Sequence, residues 1–90
     1  MTPPAFIARL SPAEKRETRA LMIEAWILSP TQESSQDALR ILKRRAPVWL
    51  LERIHEHPIE ALRCMSAVVR WGLTQTFYHQ PATEGDSPDL

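Results

Sequence analysis

Glycine is scarce in this chain of 90 residues, and Gly72 and Gly85 are its only two. A protein rich in β-hairpins uses glycine repeatedly, because tight turns need the positive φ angles that glycine adopts easily. The scarcity therefore argues against a hairpin-rich β protein. Cysteine is scarcer still, and the single Cys64 excludes an internal disulfide. A lone cysteine favours a reducing, cytoplasmic setting.

Long apolar runs are also missing. A helix that spans a membrane needs about 20 consecutive apolar residues, and no run here approaches that length. The first ten residues, MTPPAFIARL, lack the charged-then-apolar order of a secretory signal peptide. Apolar residues nevertheless make up 43% of the chain, which is typical of globular proteins. We therefore expect a single cytoplasmic domain with no membrane partner.

Charge is balanced overall but unevenly placed. The formal net charge is zero, yet residues 39–79 hold seven arginines and lysines against three glutamates, a net charge of +4. Residues 80–90 carry three acidic side chains and no basic one. This last segment is small, polar and proline-bearing, so we expect a disordered acidic tail. A basic body favours anionic partners.

The chain divides into an arm, a helical domain and the tail. Residues 1–10 contain Pro3 and Pro4 and predict an extended arm, whose Phe6, Ile7 and Leu10 dock on the body or on a second subunit. Residues 11–79 are the helical domain. Its first helix begins with Ser11 as the cap and Glu14 three residues later, a capping box, and is expected to end near Leu28.

Residues 20–28 of this first helix are apolar on nearly every side. Such a segment is enclosed, either in the centre of the domain or in a subunit interface. Because a domain this small buries only a modest core, a second copy would help to cover it. The candidate residues for a homodimer interface are Leu21, Ile23, Trp26 and Ile27.

Three further helices follow the polar loop of residues 29–36. Ser34 or Ser35 caps the second, which is expected at about 37–46. Pro47 begins a third helix to about residue 57, and Pro58 begins a fourth that reaches about Tyr78. Within it, Gly72 favours the close approach of another helix. The fold class is therefore all-α, a small bundle of three to four helices with the arm and the tail.

The densest basic run, at the end of the second helix, is the first candidate site. Cations on one helical face can neutralise phosphates. They are also the ordinary complement of the dipole at a helix C-terminus, so both interpretations stay open. The residues of this run are Arg40, Lys43, Arg44 and Arg45.

Two more sets of side chains are candidates for binding a partner. Trp26, Trp49 and Trp71 lie in different predicted helices and are expected to share one core cluster, with Trp49 the most exposed. Tryptophan is also enriched at binding hot spots, so Trp49 is a candidate contact. Arg63 and Arg70 are two helical turns apart, and they either grip a partner or form a solvated face.

No catalytic, cofactor or metal site is expected. His55 and His57 are two residues apart and therefore point to nearly opposite sides of a helix. Pro58 separates them from Cys64, and one cysteine cannot supply the common structural zinc sets. We expect His55 to be half-buried and His57 to cap a helix junction.

These patterns favour a non-enzymatic protein-interaction module over an enzyme. The module would be a homodimer that acts as an adaptor, an inhibitor or a regulatory subunit, and its partner is another protein. The alternative is a small nucleic-acid-binding transcriptional regulator that uses the basic helix around residues 40–45.

Overall fold

The structure is a computed structural model that describes residues 5–78, with side-chain positions for residues 7–75. It contains helix α1 (Ala5–Ala8), α2 (Pro12–Leu28), α3 (Ser35–Arg45), α4 (Val48–Glu56) and α5 (Pro58–Tyr78). Residues 5–78 include no β-strand. The predicted all-α class is confirmed, and the four longer helices agree with the predicted bundle.

Local capping sets the beginning of α2. The Ser11 hydroxyl accepts a hydrogen bond from the Glu14 backbone N–H at 3.1 Å, and the Glu14 carboxylate accepts one from the Ser11 N–H at 2.9 Å. This is the predicted capping box, which satisfies two backbone donors that the first turn leaves without partners. The helix ends at Leu28, as expected.

The later helix boundaries follow the same logic. Ser34 caps α3 by accepting from the Asp37 N–H at 3.2 Å, so the helix begins at Ser35, two residues earlier than predicted. His57 joins α4 to α5: its N–H donates to the Arg53 carbonyl at 3.0 Å, and its carbonyl accepts from the Ala61 N–H at 2.9 Å. The predicted role of His57 at this junction is confirmed.

Helices α2, α3 and α5 contact one another and enclose most of the core. Helices α1 and α4 contact each other and α5. A hydrogen bond of 2.9 Å between the hydroxyls of Ser66 and Ser35 links α5 to the start of α3. The largest completely buried apolar side chains are Met22, Leu42, Leu50, Ile54, Met65 and Val68.

Helix α5 approaches α2 most closely at Gly72. A Cβ atom added to Gly72 would lie 2.4 Å from the six-membered ring of Trp26. Only a residue without a side chain leaves room for that ring, so the predicted close approach at Gly72 is confirmed. The element that approaches is the Trp26 side chain of α2.

The extended N-terminal arm is not confirmed, because residues 5–8 form one helical turn. Pro3 and Pro4 restrict the residues that precede them, and they do not prevent a helix from Ala5 onward. Two of the residues that were predicted to dock on the body do so: Ile7 is buried in the core cluster, and Leu10 packs against that cluster. The predicted acidic tail, 80–90, lies outside the described residues.

Candidate functional site

The sequence predicts a homodimer interface in the apolar second half of α2. In the structure, the side chains of this segment point in three different directions. Trp26 is only 9% exposed and belongs to the core. Its ring packs edge-on against Trp71, with 6.3 Å between the ring centroids and 67° between the planes. Its indole N–H donates to the Gln32 carbonyl at 2.8 Å. Trp26 therefore offers little surface to a second copy.

Ile27 remains on the surface. It is 54% exposed, and Ile23, one turn earlier, is half-buried. Ala20, one turn before Ile23 on the same side of the helix, is exposed. We call Ala20, Ile23 and Ile27 the outer α2 stripe. The stripe is a surface on which the predicted contact with a second copy could form.

The opposite flank of α2 faces α3. Leu21 lies there, half-buried against the core, and so does Leu28, two turns later and 51% exposed. Leu28 is one wall of a groove of about 330 Å³ between the end of α2 and α3. We call it the α2–α3 groove, and its lining residues are Leu28, Pro30, Asp37, Arg40, Ile41 and Arg44.

The basic run at the end of α3 is not one continuous patch. Arg45 forms an ion pair with Glu24 of α2. Arg40 lies 3.6 Å from the Asp37 carboxylate, one turn away on its own helix. Lys43 and Arg44 are exposed and form no ion pair with any described residue. Intramolecular pairing therefore lowers the positive potential of this run.

The other predicted contact residues lie elsewhere. Trp49 of α4 is half-buried and packs against the edge of the core, which confirms the expected partial exposure. Trp26 and Trp71 are in ring contact, and Trp49 packs against the core cluster that contains Trp26 without ring contact to either. Arg63 and Arg70 are exposed on the side of α5 that is opposite its buried residues, and neither lines the α2–α3 groove.

Among the described residues, Cys64, His55 and His57 form no evident reaction centre. Burial raises the pKa of the Cys64 thiol to about 11, and the charge of Glu60 adds to the shift. At neutral pH this thiol keeps its proton and is a weak nucleophile. His55 is exposed, so its predicted half-burial is wrong. Within residues 5–78, no three histidine, cysteine or acidic side chains are placed to share a metal ion.

Sequence reasoning missed the α2–α3 groove, although two signals pointed to it. Ile41 lies among the apolar residues of its helix, yet it stays half-exposed beside the buried Ala38 and Leu42. Leu28 ends the segment 20–28, which is apolar on nearly every side. One side of such a segment stays exposed to solvent unless other elements cover it. Leu28 and Ile41 line the same groove only because of how α2 and α3 pack, and no local sequence pattern encodes that packing.

Comparison with known proteins identifies no relative. No protein family, no curated protein and no solved structure matches the chain. Of the helices in the part of the chain that the structure describes, none combines the length and apolarity needed to cross a membrane.

Proposed function

We propose that this chain is a non-enzymatic protein-interaction module that acts as a homodimer, in the manner of an adaptor, an inhibitor or a regulatory subunit. The observation that carries the proposal is the outer α2 stripe. Ile27 is exposed over 54% of its surface, next to a half-buried Ile23 and an exposed Ala20.

The spacing of the stripe suits helix pairing. Residues three, four and seven apart on a helix form one face, which can pack into the grooves of a second helix. Arg16 lies one turn before Ala20, and Glu24 one turn after it. Glu24 already forms an ion pair with Arg45 of α3, so the proposed contact rests on the apolar side chains of the stripe.

The size of the stripe limits the strength of the dimer. A stable interface buries about 800 Å² on each partner, which is more than three side chains supply. We therefore expect dissociation in the micromolar range, with neighbouring side chains of α2 adding contacts. A domain this small buries a modest core by itself, so even this association would stabilise it.

The mass of the protein as a function of concentration tests this proposal. We expect sedimentation equilibrium to show a dimer at the upper end of a micromolar series. Ile27→Asp places a charge in the stripe and should leave a monomer at every concentration, with its helical circular dichroism unchanged. Val48→Asp is the matched control, because Val48 is even more exposed, at 73%, and lies on another helix.

Two results would contradict the proposal. One is a wild-type protein that stays monomeric throughout the series. The other is an Ile27→Asp variant that dimerises as well as Val48→Asp does.

A second candidate function is nucleic-acid binding, which Lys43 and Arg44 favour because they are adjacent, exposed and without an ion pair in the described part of the chain. Phosphate binding of this kind weakens steeply with added salt, because counterions are released. A titration with duplex DNA at low and moderate salt measures that slope. Binding that survives Lys43→Ala with Arg44→Ala, or that is absent at low salt, would remove this candidate.

A further inference from the structure

We propose that the α2–α3 groove binds an acidic, amphipathic segment of a partner protein. The apolar side chains of the segment would pack against those that line the groove, and its carboxylates would bind Arg40 and Arg44. The inference rests on the proposed interaction function and names the chemistry of the partner that this surface accepts.

The apolar side chains that line the groove come from two elements. Leu28 and Pro30 are exposed at the end of α2, and Ile41 is half-buried on α3. The surface between these residues is concave, with a volume of about 330 Å³. This volume is at the small end of the range for binding sites, about 300–1,000 Å³, so it suits a few anchoring side chains.

The rim of the groove is positively charged. Arg40 and Arg44 are one turn apart on α3 and lie on the same side of Ile41 around the helix. A guanidinium nitrogen of Arg40 lies 3.6 Å from a carboxylate oxygen of Asp37, and the Arg40 side chain is 67% exposed, so this ion pair is weak. Exposed ion pairs contribute little, and a partner's carboxylate can replace Asp37. Arg44 has no ion-pair partner among the described residues, and its planar guanidinium favours bidentate carboxylate binding.

The same features favour a protein segment over nucleic acid. A phosphate backbone would leave the apolar side chains of Leu28 and Ile41 without a complementary surface. An amphipathic helix whose apolar residues enter a groove while its acidic residues meet a basic rim satisfies both parts of the surface.

The groove and the outer α2 stripe lie on different flanks of α2. Leu28 follows Ile27 by one residue, and consecutive residues of an α-helix are rotated by about 100° around its axis. The groove also includes α3, which the stripe does not. A dimer can therefore bind two segments, and the two surfaces can be tested separately.

The test uses a fluorescein-labelled synthetic helical peptide with leucines at every third and fourth position and glutamates elsewhere. A second peptide carries lysine in place of every glutamate. We expect fluorescence anisotropy to show binding of the acidic peptide at micromolar concentrations and at least tenfold weaker binding of the lysine peptide. Arg44→Glu should weaken binding of the acidic peptide about tenfold, which corresponds to about 1.4 kcal/mol. Leu28→Ser should weaken it severalfold.

The matched control is Arg70→Glu, because Arg70 is also an exposed arginine on a helix but lies outside the groove. Its affinity for the acidic peptide should equal that of the wild type. The proposal is overturned if neither peptide binds, if both bind equally, or if Arg44→Glu and Arg70→Glu have the same effect. Displacement of the bound peptide by duplex DNA would also overturn it, in favour of a nucleic-acid surface.

Mass measurements on the same samples separate this proposal from the homodimer. A monomeric wild-type protein that binds the acidic peptide through Arg44 would support the groove and contradict the dimer. A dimer that binds neither peptide would do the reverse. If both proposals hold, Ile27→Asp is a monomer that binds the peptide, and Arg44→Glu is a dimer that does not.

Discussion

At the scale of single residues, Trp26 determines how two helices and a loop meet. Its ring occupies the space that a side chain at position 72 would need, and its indole N–H donates to the Gln32 carbonyl. Gln32 has a positive φ of 57°, which costs a residue with a side chain about 1–2 kcal/mol. The side-chain amide of Gln32 also donates a hydrogen bond to the backbone carbonyl of Ile27 at 3.0 Å. These two hydrogen bonds hold Gln32 in this conformation.

The contact between Trp26 and Gly72 leads to a prediction against helix propensity. Alanine is better than glycine in a helix interior by about 1 kcal/mol. Gly72→Ala should nevertheless destabilise the protein by about 1–3 kcal/mol, the usual cost of overpacking, because the new Cβ overlaps a buried ring that a hydrogen bond holds in place. Unfolding in guanidinium chloride, followed by tryptophan fluorescence, measures the change.

The control places the same substitution in a Trp26→Leu background. Leucine leaves space beside position 72, so there the change to alanine should be neutral or stabilising. An equal loss of stability in both backgrounds would show that Trp26 is not the cause.

At the scale of elements, α1 shows that a helix of one turn depends on packing. Four residues cannot form a stable helix alone, because nucleation is unfavourable and the first turn gains only one hydrogen bond. Ile7 of α1 is 3% exposed, and α1 contacts both α4 and α5. The burial of Ile7 therefore accounts for a helix at a position where local sequence favoured extended chain.

Truncation of Ile7 should undock this element. Ile7→Ala should lower the free energy of unfolding by about 2–4 kcal/mol, as is usual for removing most of a buried isoleucine. Val48→Ala, which changes an exposed side chain, should alter it by less than about 0.5 kcal/mol. Chemical denaturation of both variants provides the comparison, and equal effects would mean that α1 does not depend on Ile7.

At the scale of the whole molecule, the core contains one titratable group whose protonation affects global stability. Cys64 is buried, and its pKa rises from the ordinary value of 9.0 to about 11. The folded protein therefore keeps the thiol proton at pH values where the unfolded chain has lost it. The stability that follows is complete below pH 9 and is lost as the pH rises from 9 to about 11.

This linkage predicts an alkaline loss of stability that belongs to Cys64. Between about pH 8 and about pH 10.5, the wild type should lose about 2 kcal/mol more than a Cys64→Ala variant. The cavity in the variant lowers stability at both pH values, so its effect cancels in the comparison. Denaturant titrations at the two pH values measure the difference. Parallel losses in both proteins would mean that the thiol pKa is unshifted.

The two proposed surfaces also belong to the whole molecule, because packing leaves the outer α2 stripe exposed and brings α2 and α3 together at the groove. Of the eleven predicted contact residues, Arg40 and Arg44 are the two that line the α2–α3 groove. Ile23 and Ile27 share the outer stripe, while Trp26 is in the core. Arg63 and Arg70 are exposed on α5, apart from the groove.

What the sequence determined by itself is the set of four longer helices. Ser11, Glu14 and Ser34 satisfy backbone groups within three residues of themselves, and Pro58 begins the last helix, so these boundaries depend on neighbours along the chain. The all-α class follows from the same local interactions.

Only the tertiary structure decided which apolar side chains of α2 are buried. Met22 and Trp26 face the core, while Ile27 and Leu28 are exposed on separate flanks. All four lie in the segment 20–28, which is apolar on nearly every side. The direction in which α3 and α5 pack against α2 makes this distinction. Likewise, Arg45 forms an ion pair with Glu24, and Leu28 and Ile41 line the same groove, across distances in sequence that no helical period can specify.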